Sequence, residues 1–303
     1  MTAANEHLAK YEEVLKDGVP TAAFSRLMIG NKHVFKDKTV LNVACGTGLL
    51  CLFAAKAVIT LVEGKIGETT LPFSEFDIII SDWMGKCLLY ESRLEEVILA
   101  RDKYLKKDGF IYPESVTLYM AAIEDADFKD EKFGFWDNIQ GLDYSAFKPF
   151  ALRDPVVDTC DIRAVVTQPC GFKQFSLSDV KKEDLTFDET FSLTALRDDF
   201  IHAFIVWFDV WVASSTPSPV HFSTGPHTKS TRWGQTIFYT RETPAIAKDQ
   251  VVTGHFAVQP NTENVHDLDI RISYKLEKKS SSEDGDEATG GESTSESLSY
   301  KMY

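Results

Sequence analysis

The sequence predicts an α/β domain followed by a β-rich domain, and three observations carry that expectation. Thr39 to Val43 is an apolar strand-like run that leads into the small-residue turn Ala44-Cys45-Gly46-Thr47-Gly48, and then into Leu49 to Ala57, which is apolar with good helix formers. Strand, glycine turn and helix in that order open a doubly wound fold. Val58 to Val62 and Phe76 to Asp82 are further strand candidates with continuous β-branched runs, as expected of central parallel strands covered on both faces. Past Pro113 the texture changes to short alternating runs, Thr117 to Ala121, Phe204 to Val210 and Thr236 to Thr240, separated by Pro, Gly and Asp/Ser turns. That is the pattern of an antiparallel barrel or sandwich.

The remaining elements follow in order. Glu6 to Lys36 is mostly helical in pattern. Glu91 to Lys106 reads as a helix with apolar residues at Leu94, Val97, Ile98 and Leu105; Asp108-Gly109 ends it, and Phe110-Ile111-Tyr112 begins a strand. The division is therefore placed at residues 1–112 and 113–303. Phe128 to Phe150 is aromatic but irregular, and such a run suits a partner surface. Ser280 to Glu296 is Ser, Glu, Asp and Gly with no apolar periodicity, so disorder is expected there, with a final strand over Leu298 to Tyr303.

The totals exclude several classes. The chain has 303 residues, 44% hydrophobic and 26% charged, which is ordinary for a globular protein. No run of 18 apolar residues is present, so no membrane span is expected, and Met1 to Lys10 lacks a signal-peptide pattern. Cys45, Cys51, Cys87, Cys160 and Cys170 are scattered, with no CxxC pair; a reducing compartment is expected and a metal site is not. The net charge is −14, and setting aside the tail's net −5 after residue 279 leaves −9. Such acidity argues against a nucleic-acid backbone as the main ligand and suits an arginine-rich protein partner. Solubility alone would also account for it.

Two motifs carry chemistry. Val40-Leu41-Asn42-Val43-Ala44-Cys45-Gly46-Thr47-Gly48 lets a ligand approach the backbone next to a helix N-terminus, although a tight turn without a ligand reads the same way. The GxGxxG of dinucleotide enzymes is absent. Ser81-Asp82-Trp83-Met84-Gly85-Lys86-Cys87-Leu88-Leu89-Tyr90-Glu91 is more specific. Two carboxylates flank a Trp-Met-Gly segment, and a planar guanidinium with paired donors is what two carboxylates can grip.

The first motif resembles motif I of S-adenosylmethionine-dependent methyltransferases, and the second resembles the double-acid loop of protein arginine methyltransferases. The resemblance extends to most of the chain: Glu12 to Asp17, Ile123-Glu124-Asp125, the 128–150 segment with Trp136 (the family's dimerisation arm), Phe222 to Pro226, Thr231-Arg232-Trp233, Asp267 to Ile270 and Tyr300-Lys301-Met302. It implies a Rossmann-like methyltransferase domain, a β-barrel domain and a helical arm near 126–150 that packs on a second copy. It implies S-adenosylmethionine as cofactor, with Asn42, Cys45, Gly46, Gly48, Glu63 and Glu68 on the cofactor side. Asp82 and Glu91 would orient the guanidinium. Cys87 and Tyr90 match the version of the loop that makes asymmetric dimethylarginine. Arginine-rich proteins such as histones or RNA-binding proteins would be substrates, in cytoplasm and nucleus, with a homodimer as the assembly.

The departures from the family pattern bear on competence. Pro20 stands where the family has an arginine for the cofactor's carboxylate. Asn42 replaces an Asp, and Ala44 replaces a Gly. Ala57 runs directly into Val58 to Glu63, so the resemblance implies that one strand and helix of the family are deleted here. Ribose-binding acids lie about 20 residues beyond such a turn, and Glu63 lies 17 after Gly46; it either takes over that role or is a loop charge. Gly67 stands where the family has an acid near the adenine. Asp82 replaces a Glu, shortening its reach by roughly 1.5 Å. Arg232 replaces the His of the family's Thr-His-Trp; arginine keeps its proton, so it would pair with Asp17 or compete for Asp82 and Glu91. The aromatic helix over the cofactor is mostly missing before Glu6. The leading expectation is an arginine methyltransferase; the alternative is a catalytically impaired member that acts as a binding or regulatory partner.

Overall fold

The computed structural model describes residues 3–54, 66, 70–264, 267–276 and 295–303. The chain divides into two compact units. The first unit comprises Met1–Thr117, Gln174–Asp184 and Phe208–Gly234; the second comprises Leu118–Lys173, Leu185–Trp207 and Gln235–Tyr303. Two segments from late in the sequence thus belong with the N-terminal part.

The N-terminal half begins with helices α1 (Ala3–Lys16), α2 (Gly18–Gly30) and α3 (Lys32–Phe35). Asp17 caps α2, its side chain accepting from Val19 N–H at 3.2 Å, and Pro20 sits in the first turn, where its missing N–H costs nothing. Strand β1 (Val40–Asn42), helix α4 (Leu49–Ala54), strand β2 (Phe76–Ile80), helix α5 (Leu94–Tyr104) and strand β3 (Leu105–Tyr112) follow. The three strands form a parallel sheet in the order β1-β2-β3. Ile78, Ile79 and Ile80 are fully buried, as a central strand with both faces covered requires. The run Val58 to Val62 lies outside the described residues.

The helix expected to reach Lys106 stops at Tyr104, and β3 starts five residues earlier than Phe110. Pairing decides this. Leu105 pairs with Phe76, Ile78 pairs with Phe110, and the register shifts between them. A Cβ on Gly109 would come within 2.9 Å of the Asp77 carbonyl, so the glycine that looked like a helix stop permits close approach of β3 to β2. Asp77 ties the sheet together. Its Oδ2 accepts from Thr39 N–H at 2.9 Å and from Thr39 Oγ1 at 2.8 Å, and its Oδ1 accepts from Lys106 Nζ at 2.9 Å.

The later elements are strand β4 (Ser115–Ile123), helix α6 (Ala126–Lys129), helix α7 (Lys148–Ala151), strands β5 (Val156–Asp158), β6 (Cys170–Ser176), β7 (Phe187–Thr194), β8 (Asp199–Phe200), β9 (Ala203–Ala213), β10 (Val220–Ser223), β11 (Gln235–Tyr239), β12 (Ala245–Ile246), β13 (Val251–Pro260), β14 (Leu268–Leu276) and β15 (Ser295–Met302). One sheet runs β5-β11-β9-β4-β6, with β10 beside β9; another runs β15-β14-β13-β7, antiparallel throughout; β12 pairs with β8. β14 shows the period-2 signature: Leu268, Ile270, Ile272, Tyr274 and Leu276 are buried and their neighbours are not. Ser295 and Glu296, expected to be disordered, open β15, where Glu296 accepts from Tyr274 Oη at 3.0 Å. The rest of 280–294 lies outside the described residues. The arm is a chain of short helical turns. Phe133 is buried against Tyr239, while Phe135, Leu142, Phe147 and Phe150 are exposed.

Thr39's backbone N–H, with the Lys106 ammonium, holds the Asp77 carboxyl well below the usual carboxylate range. A carboxyl lowered in the folded state stabilises above its unfolded pKa, and that stability is lost as pH falls. The thermal midpoint of the wild type should therefore fall more steeply than that of Asp77→Asn between about pH 5 and pH 2. Parallel midpoint-against-pH curves for the two proteins would reject the clamp.

Candidate active site

Two loops leave the carboxyl ends of neighbouring parallel strands, where open α/β sheets take ligands. Asn42 pairs with Ile80, and Val43 N–H donates to the Ile80 carbonyl at 3.0 Å. The glycine turn after β1 and the acid loop after β2 therefore start side by side.

In the glycine turn, Ala44, Gly46 and Gly48 have φ of 54°, 49° and 74°. Ala44 pays about 1 kcal/mol for a left-handed conformation that glycine would adopt freely. Among the described residues, a Cβ on Gly48 would meet nothing within 4 Å, and one on Gly46 would come no nearer than 4.0 Å to Tyr11 Cε1 and the Ala44 carbonyl. Tyr11 of α1 therefore borders the turn, and no other described side chain fills the space over it. Asn42 donates from Nδ2 to Cys51 Sγ at 3.2 Å, while its Oδ1 is buried with no partner among the described residues. Burial pushes the Cys51 thiol up. Cys45 is exposed. Glu63 and Glu68 lie outside the described residues.

The acid loop is a tight hairpin. Gly85 N–H donates to the Leu88 carbonyl at 2.9 Å, Tyr90 N–H to the Lys86 carbonyl at 2.9 Å, and Arg93 N–H to the Trp83 carbonyl at 2.9 Å. Cys87 and Leu88 have φ of 48° and 68°, a pairing that turns normally assign to Asn-Gly, and Glu91 has φ of 56°. Three non-glycine residues in this region mark strain held in place by the surrounding structure. Trp83 and Leu88 are buried beneath, and Glu91 is exposed at the end of the loop.

A third segment completes the site within the same unit. Trp233 stacks on Phe222 at 5.9 Å and donates from Nε1 to the Met84 carbonyl at 3.0 Å. It thereby fixes the neighbouring Arg232. Arg232 N–H donates to Asp17 Oδ2 at 2.9 Å, and its Nη2 donates to Asp82 Oδ2 at 2.6 Å. Nη1 stands 3.6 Å from Asp17 Oδ2, and Cζ lies 3.8 Å from the Trp233 ring centre. Burial pushes the Asp82 carboxyl up, with Asp17 acting the same way and Arg232 pulling against both. A cavity of about 200 Å³ opens beside this pair, lined by Glu13, Lys16, Asp17, Lys229, Thr231 and Arg232 among others.

The description "Arginine methyltransferase oligomerization subdomain" matches residues 114–280. Protein arginine N-methyltransferase 1 of Schizosaccharomyces pombe is 40% identical over 98% of this chain and 93% of the relative. The chain belongs to the protein arginine methyltransferase family. Protein arginine N-methyltransferase 1 of Saccharomyces cerevisiae is 41% identical over 90% of this chain and 86% of its own length. Among solved structures, a Trypanosoma brucei PRMT1 enzyme–prozyme heterotetrameric complex with AdoHcy is similar at TM-score 0.87 and 32% identity, covering 95% of this chain and 97% of that one. Arabidopsis thaliana protein arginine methyltransferase 10 in an open conformation shares the fold at TM-score 0.82 and 23% identity, covering 96% of each chain.

Family membership accounts for the α/β unit, the β-rich unit and the oligomerization segment. The structure sets Asn42, Cys45, Gly46 and Gly48 around one open turn, and Asp82 and Glu91 at the ends of one hairpin. Arg232, expected to pair with Asp17 or to compete for Asp82 and Glu91, contacts both Asp82 and Asp17. Tyr11 was missed as a border of the glycine turn, because one aromatic among the Ala, Leu and Val residues of an amphipathic helix carries no signal of what it faces.

Gly85 sits where a Cβ would come within 1.8 Å of the Tyr90 carbonyl oxygen and 2.9 Å of Ser92 N, both backbone atoms that cannot move aside. Gly85→Ala should cost about 3 kcal/mol in urea unfolding, at the upper end for overpacking. A loss below about 0.5 kcal/mol would show that the hairpin is not this tight.

Proposed function

We propose that this chain transfers a methyl group from S-adenosylmethionine to arginine guanidino nitrogens of proteins, with asymmetric dimethylarginine as the product. The observation that carries this is the acid loop placed beside an open glycine turn at the carboxyl edge of the parallel sheet. S-adenosylmethionine, when bound, supplies an electrophilic methyl on its sulfonium. Asp82 and Glu91 hold the substrate guanidinium and aim one terminal nitrogen, which is catalysis by orientation. Their negative charge keeps the positive charge on the remainder of the group.

The residues present fit the cofactor in part. The space that no described residue fills over Gly46 and Gly48, Asn42 Oδ1 without a partner among the described residues, and the Tyr11 ring suit an adenosyl group. Asn42, Cys45, Gly46 and Gly48 would line it, with Glu63 and Glu68 taking the ribose and adenine side. Pro20 offers nothing to the carboxylate. The missing strand and helix are part of this reading: the S. pombe alignment runs over 324 positions against a chain of 303, so the relative has residues where this chain has none. The main boundary in the sequence lies near 112/113, with residues 174–184 and 208–234 grouped with the first unit, the β-rich unit closes as a barrel, and the arm joins two copies. Arginine-rich proteins of the cytoplasm and nucleus are the substrates rather than nucleic acid, in keeping with a net charge of −14.

A second reading is favoured by Pro20 and Arg232. Here the chain is an impaired member that pairs with an active relative, as enzyme and prozyme are paired in the T. brucei complex. One experiment separates the two. Methyl-labelled S-adenosylmethionine and an Arg-Gly-Gly repeat peptide should yield labelled peptide with the wild type, reduced about a hundredfold by Asp82→Asn. Calorimetry showing cofactor bound but no label transferred selects the second reading; no cofactor bound overturns the enzymatic one.

A further inference from the structure

We infer that Arg232 is an internal guanidinium that occupies the arginine seat at Asp82, so that a substrate arginine grips Asp82 with both oxygens only by displacing it. This rests on Asp82 being a substrate-holding acid. The chemistry of the contact is that expected of a substrate: a guanidinium Nη donating to a carboxylate oxygen, at 2.6 Å. The side chains of Arg232 and Asp82 are only 11% and 18% exposed, so this is not a surface ion pair.

Arg232 is delivered to the seat by its surroundings. Its backbone N–H is anchored on Asp17, its guanidinium lies over the Trp233 ring, and Trp233 is itself bonded to the acid loop through Met84. An incoming guanidinium can take both oxygens of Asp82 in the bidentate grip only if Arg232 gives up Oδ2. The internal occupant therefore competes directly with any arginine side chain that arrives, at an effective concentration set by a short tether.

The grip is half made, which makes it reversible. Among the described residues Asp82 Oδ1 and Arg232 Nη1 are both buried without a hydrogen-bond partner, so the pair uses one hydrogen bond where a bidentate pair would use two. The cavity of about 200 Å³ beside Arg232 gives its side chain room to withdraw, with Glu13 on the cavity wall to receive it and Lys16 and Lys229 opposing. An incoming arginine that made the bidentate contact with Asp82 would gain what the internal one forgoes.

The test is equilibrium binding of an Arg-Gly-Gly repeat peptide to the full chain. Arg232→Gln should tighten binding at least tenfold, and the gain should vanish when Asp82→Asn is added. Arg232→Lys keeps the charge and a donor but not the planar fork, and should give a smaller gain, at least threefold; it keeps Asp82 paired should the Gln variant fail to fold. Unchanged or weaker binding in the variants, or a gain that persists without the Asp82 carboxylate, would overturn the inference. Binding is read without turnover, so a chain that transfers no methyl group still answers the question, and failure of the enzymatic reading shows separately as absent cofactor binding.

Discussion

The site depends on one buried ion pair, Arg232 with Asp82. Removing two charges from water is tolerable only when each meets the other in good geometry, and leaving either alone costs more than the pair contributes. Everything around the pair serves that constraint. Asp17 caps α2 with one oxygen and accepts the Arg232 backbone N–H with the other, so the helix start and the Thr231-Arg232-Trp233 segment are fixed to one carboxylate. Trp233 fills the gap between Phe222, Phe208 and the acid loop, and its indole N–H satisfies the Met84 carbonyl.

The acid loop meets the pair from below as a strained but over-determined hairpin. Left-handed φ at Cys87, Leu88 and Glu91 costs energy that the buried Trp83 and Leu88 side chains and three backbone hydrogen bonds repay. The result is a carboxylate whose position is set by the sheet rather than by a mobile loop, which is what orientation of a guanidinium requires. The glycine turn is built with less care for stability. Ala44 accepts a conformation suited to glycine, and Asn42 leaves one oxygen without a partner among the described residues.

Much of this was legible in the sequence, and the exceptions have physical causes. β1 and β2 were evident because continuous apolar runs bounded by turns have few alternatives, whereas Phe204 to Val210, read as a short alternating run, is the middle of a longer strand that is buried on both faces over most of its length. The double-acid loop was evident because two carboxylates around Trp-Met-Gly are rare and chemically pointed. The start of β3 was misread, since Leu105-Lys106-Lys107 carries helix formers and only pairing with Phe76 and the Asp77–Lys106 contact turn it into strand. The unit assignment of residues 208–234 was not legible, because tertiary contacts distant in sequence leave no local pattern. The partner of Arg232 was left open for the same reason: Asp17 and Asp82 lie 215 and 150 residues away.

A double-mutant cycle on stability tests the central pair most directly. Arg232→Gln, Asp82→Asn and the double variant would be unfolded in urea near pH 7.5. A largely buried pair predicts that the two single losses exceed the double loss by about 2 kcal/mol, because Arg232→Gln leaves Asp82 without its cation and Asp82→Asn leaves Arg232 with Asp17 alone. Losses that add to within about 0.5 kcal/mol would contradict it.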